Sequence, residues 1–195
     1  MSIRFMIDTD DLSVLTDHVQ LQATYSDLVT DPATLAGKFP HSIIIYIDRG
    51  LGDPGDKATI FDVERGALTV AQAVNEYDRK HAQGIRELTV YCDRSTLPAV
   101  NAAFGARQVY RWVATLDGTA HIDGHKPLES PAAVQCLSAA MLGIHADGSL
   151  VFQDGWHRQA EVADPKVVKA DLTAIGGELS KTAADLHELA AAIGV

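Results

Sequence analysis

Short runs of β-branched and aromatic residues recur along the first 153 positions, bounded by acidic or glycine-rich turns and separated by segments whose apolar residues repeat every three to four. The first run, residues 4–7 (Arg-Phe-Met-Ile), leads into an acidic loop with Asp8, Asp10 and Asp11, and the second, 19–25, alternates in part. Asp31 and Pro32 open a short helix as N-cap and first-turn proline, and Gly37 is expected to close it before Pro40. Residues 42–47 (Ser-Ile-Ile-Ile-Tyr-Ile) are too continuously apolar for a sheet with one wet face, which marks a buried strand of the parallel kind. Further strands are expected at 59–62, 88–92, 108–115, 132–137 and 149–153, and helices at 68–83, ended by Gly84, and at 96–104. Eight strands with helices mostly in the first two-thirds of the chain predict an α/β fold, either a parallel barrel or a doubly wound sheet.

Residues 164–195 follow a different rule. Val168, Leu172, Ile175, Leu179, Thr182, Leu186, Leu189 and Ile193 are spaced alternately by four and three, the seam of an α-helical coiled coil, with Lys169, Asp171, Glu178, Lys181 and Asp185 outside it. The chain is therefore expected to divide into a barrel domain, 1–163, and an oligomerisation helix, 164–195. A single amphipathic helix packed back on the barrel is the alternative, although such a helix ordinarily shows a wider apolar face. The isoleucines and the polar Thr182 at seam positions fit a trimer at least as well as a dimer.

Composition narrows the partners. A formal net charge of −10 and the lack of any Lys/Arg run argue against nucleic acid and slow approach to anionic surfaces. No apolar run reaches the roughly 20 residues that cross a bilayer, so no membrane role is expected. The N-terminus (Met-Ser-Ile-Arg-Phe-Met) does not read as a secretory signal. Cys92 and Cys136, in strand-like contexts without CxxC spacing, are expected as buried free thiols. Gly50-Leu-Gly-Asp-Pro-Gly55 matches a dinucleotide-binding pattern, but Asp53, Pro54 and Asp56 and the strand that follows at once make a tight turn the better reading. His121, Asp123 and His125 share a loop with no further ligand nearby in sequence, so neither metal nor cofactor is expected.

The chemistry concentrates in Ala58-Thr-Ile-Phe-Asp-Val-Glu-Arg-Gly66. Alternation along a strand puts Asp62 and Glu64 on one side and Val63 on the other. Two acids at a buried strand end raise one another's pKa, the arrangement that holds one protonated for donation while the other is charged, as sugar hydrolysis requires. Capping of the helix that begins near Thr69 is an equally good reading of the spacing alone.

Phe61-Asp-Val-Glu-Arg-Gly-Ala-Leu-Thr69 with the Ala-Gln-Ala-Val helix after it resembles the Asp-x-Glu strand of family 25 glycoside hydrolases, the lysozyme-like muramidases, in the divergent form carried by phages of actinobacteria. Thr89 to Val100 is similar to that family's next strand and helix, Arg111-Trp-Val-Ala-Thr-Leu-Asp117-Gly118 to its Trp-x-Ala strand, and Ala133-Val-Gln135 to the strand after. The resemblance implies an irregular, TIM-like (β/α) barrel lacking helices around the last strands, with a carbohydrate site at the C-terminal strand ends. It implies Glu64 as general acid, Asp62 as its charged partner, Asp8 or Asp10 as the first-strand acid, and Trp112, Asp117, Gln135 and Tyr91 as substrate-binding residues. Cys136 where the family has Tyr and Gly148 where it has Asp, with Asp147 one place off, depart from the pattern. Together with the tail, these departures favour a virion protein, on tail or capsid, whose barrel binds cell-wall or cell-surface glycan on an oligomeric stalk beside other virion proteins; an active, retaining peptidoglycan muramidase is the alternative.

The seam predicts self-association of the full chain, with a trimer the favoured state. Light scattering at micromolar concentration should show an oligomer that a chain ending at Asp164 no longer forms; a full-length monomer contradicts the seam reading.

Overall fold

The structure, a computed structural model, describes residues 4–118, 131–153 and 156–157. Eight strands close into one barrel in chain order: β1 (Arg4–Thr9), β2 (Leu21–Tyr25), β3 (Ile43–Asp48), β4 (Ile60–Val63), β5 (Thr89–Asp93), β6 (Tyr110–Ala114), β7 (Ala133–Leu137) and β8 (Asp147–Val151). Each forms at a run the periodicity marked. β1 to β7 are parallel, but β8 runs antiparallel to both β7 and β1, which corrects the expectation of a wholly parallel barrel. The connection at 138–146, carrying only the four-residue helix α4 (Ala139–Leu142), is too short for the crossover a parallel return needs.

The helices are fewer than a TIM-type outer ring requires. Among the described residues, α2 (Val70–Ala82) and α3 (Leu97–Phe104) cover β4 to β6, and the shorter α1 (Pro32–Lys38) covers β3. Asp31 caps α1 as expected, while Gly37 lies within that helix rather than ending it. Thr69 and Gln72 form a reciprocal capping box on α2, so neither Asp62 nor Glu64 serves as its cap. The candidate metal loop at 119–130 and the tail at 158–195 lie outside the described residues. Among those described, no helix is long and apolar enough to cross a membrane.

Alternation along the strands separates two cores. Met6, Leu21, Ala23, Ile45, Ile47, Ile60, Tyr91, Trp112 and Val151 fill the barrel, while Phe61, Val63, Val90, Cys92 and Val113 face α2 and α3. Both cysteines are free and buried in that outer layer. Trp156 lies fully buried beside Trp112, its indole N–H donating to Thr89 Oγ1 at 2.8 Å. The Gly50–Gly55 segment opens no helix. Asp53 accepts from the Lys57 and Ala58 amides and pairs at 2.8 Å with Lys80, whose side chain is wholly buried under the loop.

Two glycines give opposite expectations. A Cβ on Gly148 would meet Phe5, Leu137 and Leu142 at 3.1–3.2 Å, so Gly148→Ala should cost about 1–3 kcal/mol through overpacking. Exposed Gly37 has open space around it, and Gly37→Ala should add about 0.5–1 kcal/mol. Chemical denaturation measures both; a neutral Gly148→Ala contradicts the packing described for β8.

Candidate active site

The seven parallel strands end at one mouth, where β8 begins, and at this end the inward positions change from apolar to acidic. Met6 and Asp8 follow one another inward on β1, Ile60 and Asp62 on β4, and Val151, Ser149 and Asp147 on β8. Asp8 stands opposite Asp147 in the β1–β8 register. Glu64 follows β4 by one residue and keeps the parity of Asp62. Four carboxyl groups therefore converge, three from the expected set and one from β8.

Burial and mutual repulsion raise the pKa of all four. Asp62 is pushed up to about 7, first by desolvation and then by Glu64, with Arg49 pulling the other way. Asp8 lies well above the usual carboxylate range for the same first reason, opposed by its hydrogen bonds from Gln135 and reinforced by Asp147, Asp62 and Glu64. Protein atoms crowd Asp8, yet part of its surface still meets solvent. Glu64 is raised by burial, with a Tyr91 hydrogen bond lowering it and Asp93 and Asp147 raising it. Asp147 is also raised by burial, against a hydrogen bond from the Ala139 amide. Asp62 thereby keeps its proton towards neutral pH, where an isolated carboxyl group has lost it.

A polar chain leads from Tyr91 to one of these acids, Asp8. Tyr91 Oη donates to Gln135 Oε1 at 2.6 Å, and Gln135 Nε2 donates to both oxygens of Asp8 at 2.9 and 2.7 Å. Tyr91 thus holds Gln135, and Gln135 orients the Asp8 carboxyl group from beneath the opening. Asp62 is only 4% exposed, and its Oδ1 is buried without a hydrogen-bond partner. An unsatisfied buried carboxylate oxygen is costly, and it awaits a donor.

The mouth opens into a cleft of about 270 Å³ touched by Asp8, Asp10, Tyr25, Arg49, His145 and Asp147. Arg49 holds Asp27 through two bonds of 3.1 and 2.7 Å, and its guanidinium lies 4.3 Å from the centre of the Tyr25 ring. Tyr25 and Arg49 went unnoticed in the sequence, although Arg49 directly follows a buried strand at the end where such barrels carry their sites. Asp147 had been noticed only as a misplacement beside Gly148. Alternation makes 147 the inward position, whereas 148 faces Phe5, Leu137 and Leu142, so the acid that seemed out of place lies among the others.

Two expected residues lie elsewhere. Trp112 is fully buried inside the barrel, donating to Ser149 Oγ at 2.9 Å and packing edge-on against Tyr91, because its parity on β6 points it inward. Asp117 is exposed beyond β6, 3.8 Å from Arg94. Asp10 is exposed at the cleft rim, one residue past β1. Among the described residues no cluster of His, Cys, Asp or Glu has a metal-holding arrangement.

No family model matches the chain, and no curated protein matches it. Among solved structures, a family GH25 lysozyme from Aspergillus fumigatus superposes with a TM-score of 0.54 over 79% of this chain and 96% of that chain, at 12% sequence identity. The likeness establishes a barrel of that type and a glycoside-hydrolase-like fold.

The raised Asp62 pKa fixes the sign of a stability test. Below its ordinary value near 4 both folded and unfolded states hold the proton; between about 4 and 7 only the folded state keeps it, so this group makes stability fall as pH rises across that window. Asp62→Asn should therefore be roughly 1–3 kcal/mol more stable than wild type at pH 7.5 and lose that advantage towards pH 4 in thermal or urea melts. A clear loss of stability at neutral pH would make Asp62 a structural acceptor instead.

Proposed function

We propose that this protein hydrolyses glycan of the bacterial cell wall, with Glu64 as general acid and Asp62 as its neighbour on the same strand face. The reading rests on one observation above all: Glu64 is half-buried at the barrel mouth, where burial and then Asp93 and Asp147 raise its pKa, beside an Asp62 too enclosed to reach a substrate atom. Glu64 delivers its proton to the glycosidic oxygen as the bond from that oxygen to the anomeric carbon breaks, and a water then adds to that carbon from the side the leaving group has left while its proton passes to Glu64, which restores the acid. Asp8, held by Gln135, supplies the first-strand carboxylate, with Asp10 at the rim. Tyr25, Arg49 and Asp147 form the cleft wall against which the sugar lies. The barrel likeness and the Asp-x-Glu resemblance support a retaining muramidase acting on peptidoglycan.

A second reading is favoured by the seam of residues 164–195 and the charge of −10. In it the same barrel is the glycan-binding head of a phage appendage, assembled through its tail with copies of itself and with other virion proteins, and the cleft holds sugar without cutting it.

Release of reducing ends from purified actinobacterial cell walls separates the two. Glu64→Gln should lose about 100- to 10,000-fold relative to wild type. Because Glu64 must be protonated and its pKa is raised, wild-type activity should persist above the ordinary glutamate range near 4.3 and fall as pH rises further. Equal release by wild type and Glu64→Gln contradicts the enzyme reading, and wall binding by both without release supports the binding head.

A further inference from the structure

A groove of about 780 Å³, larger than the acidic cleft, lies at the opposite end of the barrel, where α2 and α3 end and β6 begins. In a chain with ten more acidic than basic groups, the groove is lined by Arg86, Arg107 and Arg111, with His81 beside them. Arg107 is neutralised by Asp78 through two bonds of 2.8 Å. The other two guanidinium groups have no carboxylate among the described residues. Arg86 donates to the carbonyl of His81 at 3.1 Å, and Arg111 donates from Nε to Asn101 Oδ1 at 3.0 Å and from Nη1 to the Val109 carbonyl.

Arg111 is the informative member. It points outward on β6, half-buried, and neutral acceptors fix its orientation without balancing its charge. Burial pulls its pKa below the usual arginine value, the mark of a cation removed from water without a counter-ion. A folded chain ordinarily pairs such a group. The half-buried Arg111 guanidinium, whose partners among the described residues are neutral, and the exposed Arg86 on the same groove wall together favour about two negative charges on oxygens that can accept paired N–H donors, which a phosphate dianion offers and a single carboxylate does not. The volume far exceeds a bare phosphate and falls in the range of small-molecule sites.

We propose that this groove is a second binding site, taking a phosphate dianion, with Arg111 and Arg86 as its principal ligands and room for a small organic group esterified to it. It is independent of the acids at the barrel mouth and stands whether or not the protein is a hydrolase.

The test is titration of the full chain, followed by NMR or calorimetry, with inorganic phosphate, glucose 6-phosphate and acetate near pH 7.5. Both phosphates should bind saturably and acetate should not. Tighter binding of glucose 6-phosphate assigns the site to an esterified phosphate, and equal binding assigns it to the free ion. Arg111→Gln should weaken phosphate binding roughly tenfold. Exposed Arg86→Gln, which threatens no packing, should weaken it in the same direction and keeps the test intact if the Arg111 variant folds poorly. No saturable phosphate binding, equal binding of acetate, or unchanged affinity in Arg86→Gln overturns the proposal.

Discussion

Everything at the barrel mouth depends on alternation of side chains along strands that close on themselves. In a closed barrel each strand has one inside and one outside parity, and a shift by one residue exchanges them. The inside parity runs from apolar residues such as Ile60 and Met6 to Asp62 and Asp8 within two positions. The outside parity supplies Phe61, Val63, Val90 and Val113 to the layer beneath α2 and α3. Acids reach the mouth because the same strands bury their alternate residues against helices, so packing of the outer layer holds the geometry of the inner one.

That geometry carries an electrostatic cost. Four carboxyl groups share one end of the barrel, and only part of their charge is met: Gln135 donates to Asp8, Arg49 bears on Asp62, and the Ala139 amide donates to Asp147. The raised pKa values are the response, since protons held by the cluster relieve repulsion that the surroundings do not. Carboxyl groups raised in this way at a cleft are of the kind that proton donation near neutral pH uses. Asp53 and buried Lys80 show the contrasting case of charges fully paired to fasten a loop.

Much of the fold was legible because hydrophobic runs of strand length are strong local signals, and every expected strand forms. What escaped was set by partners distant in sequence. The direction of β8 depends on a connection too short for a crossover, and the role of Asp147 depends on its register opposite Asp8. Trp112 was expected in the cleft from the family resemblance, but parity on β6 seals it inside. Asp62 and Glu64 were legible as a pair, while whether they cap α2 was not, since that turned on Thr69 and Gln72 completing a capping box by themselves. Tyr25 and Arg49 carried no motif, and only the closure of the barrel brings them to the same opening.

The central claim is that the mouth holds protons that isolated carboxyl groups would have lost. Carbon-13 NMR titration of the side-chain carboxyl groups in the full chain tests it directly. Asp62 should titrate near pH 7, with Asp8, Glu64 and Asp147 also above their ordinary values. Titration of all four at ordinary values, near pH 4, would contradict the account.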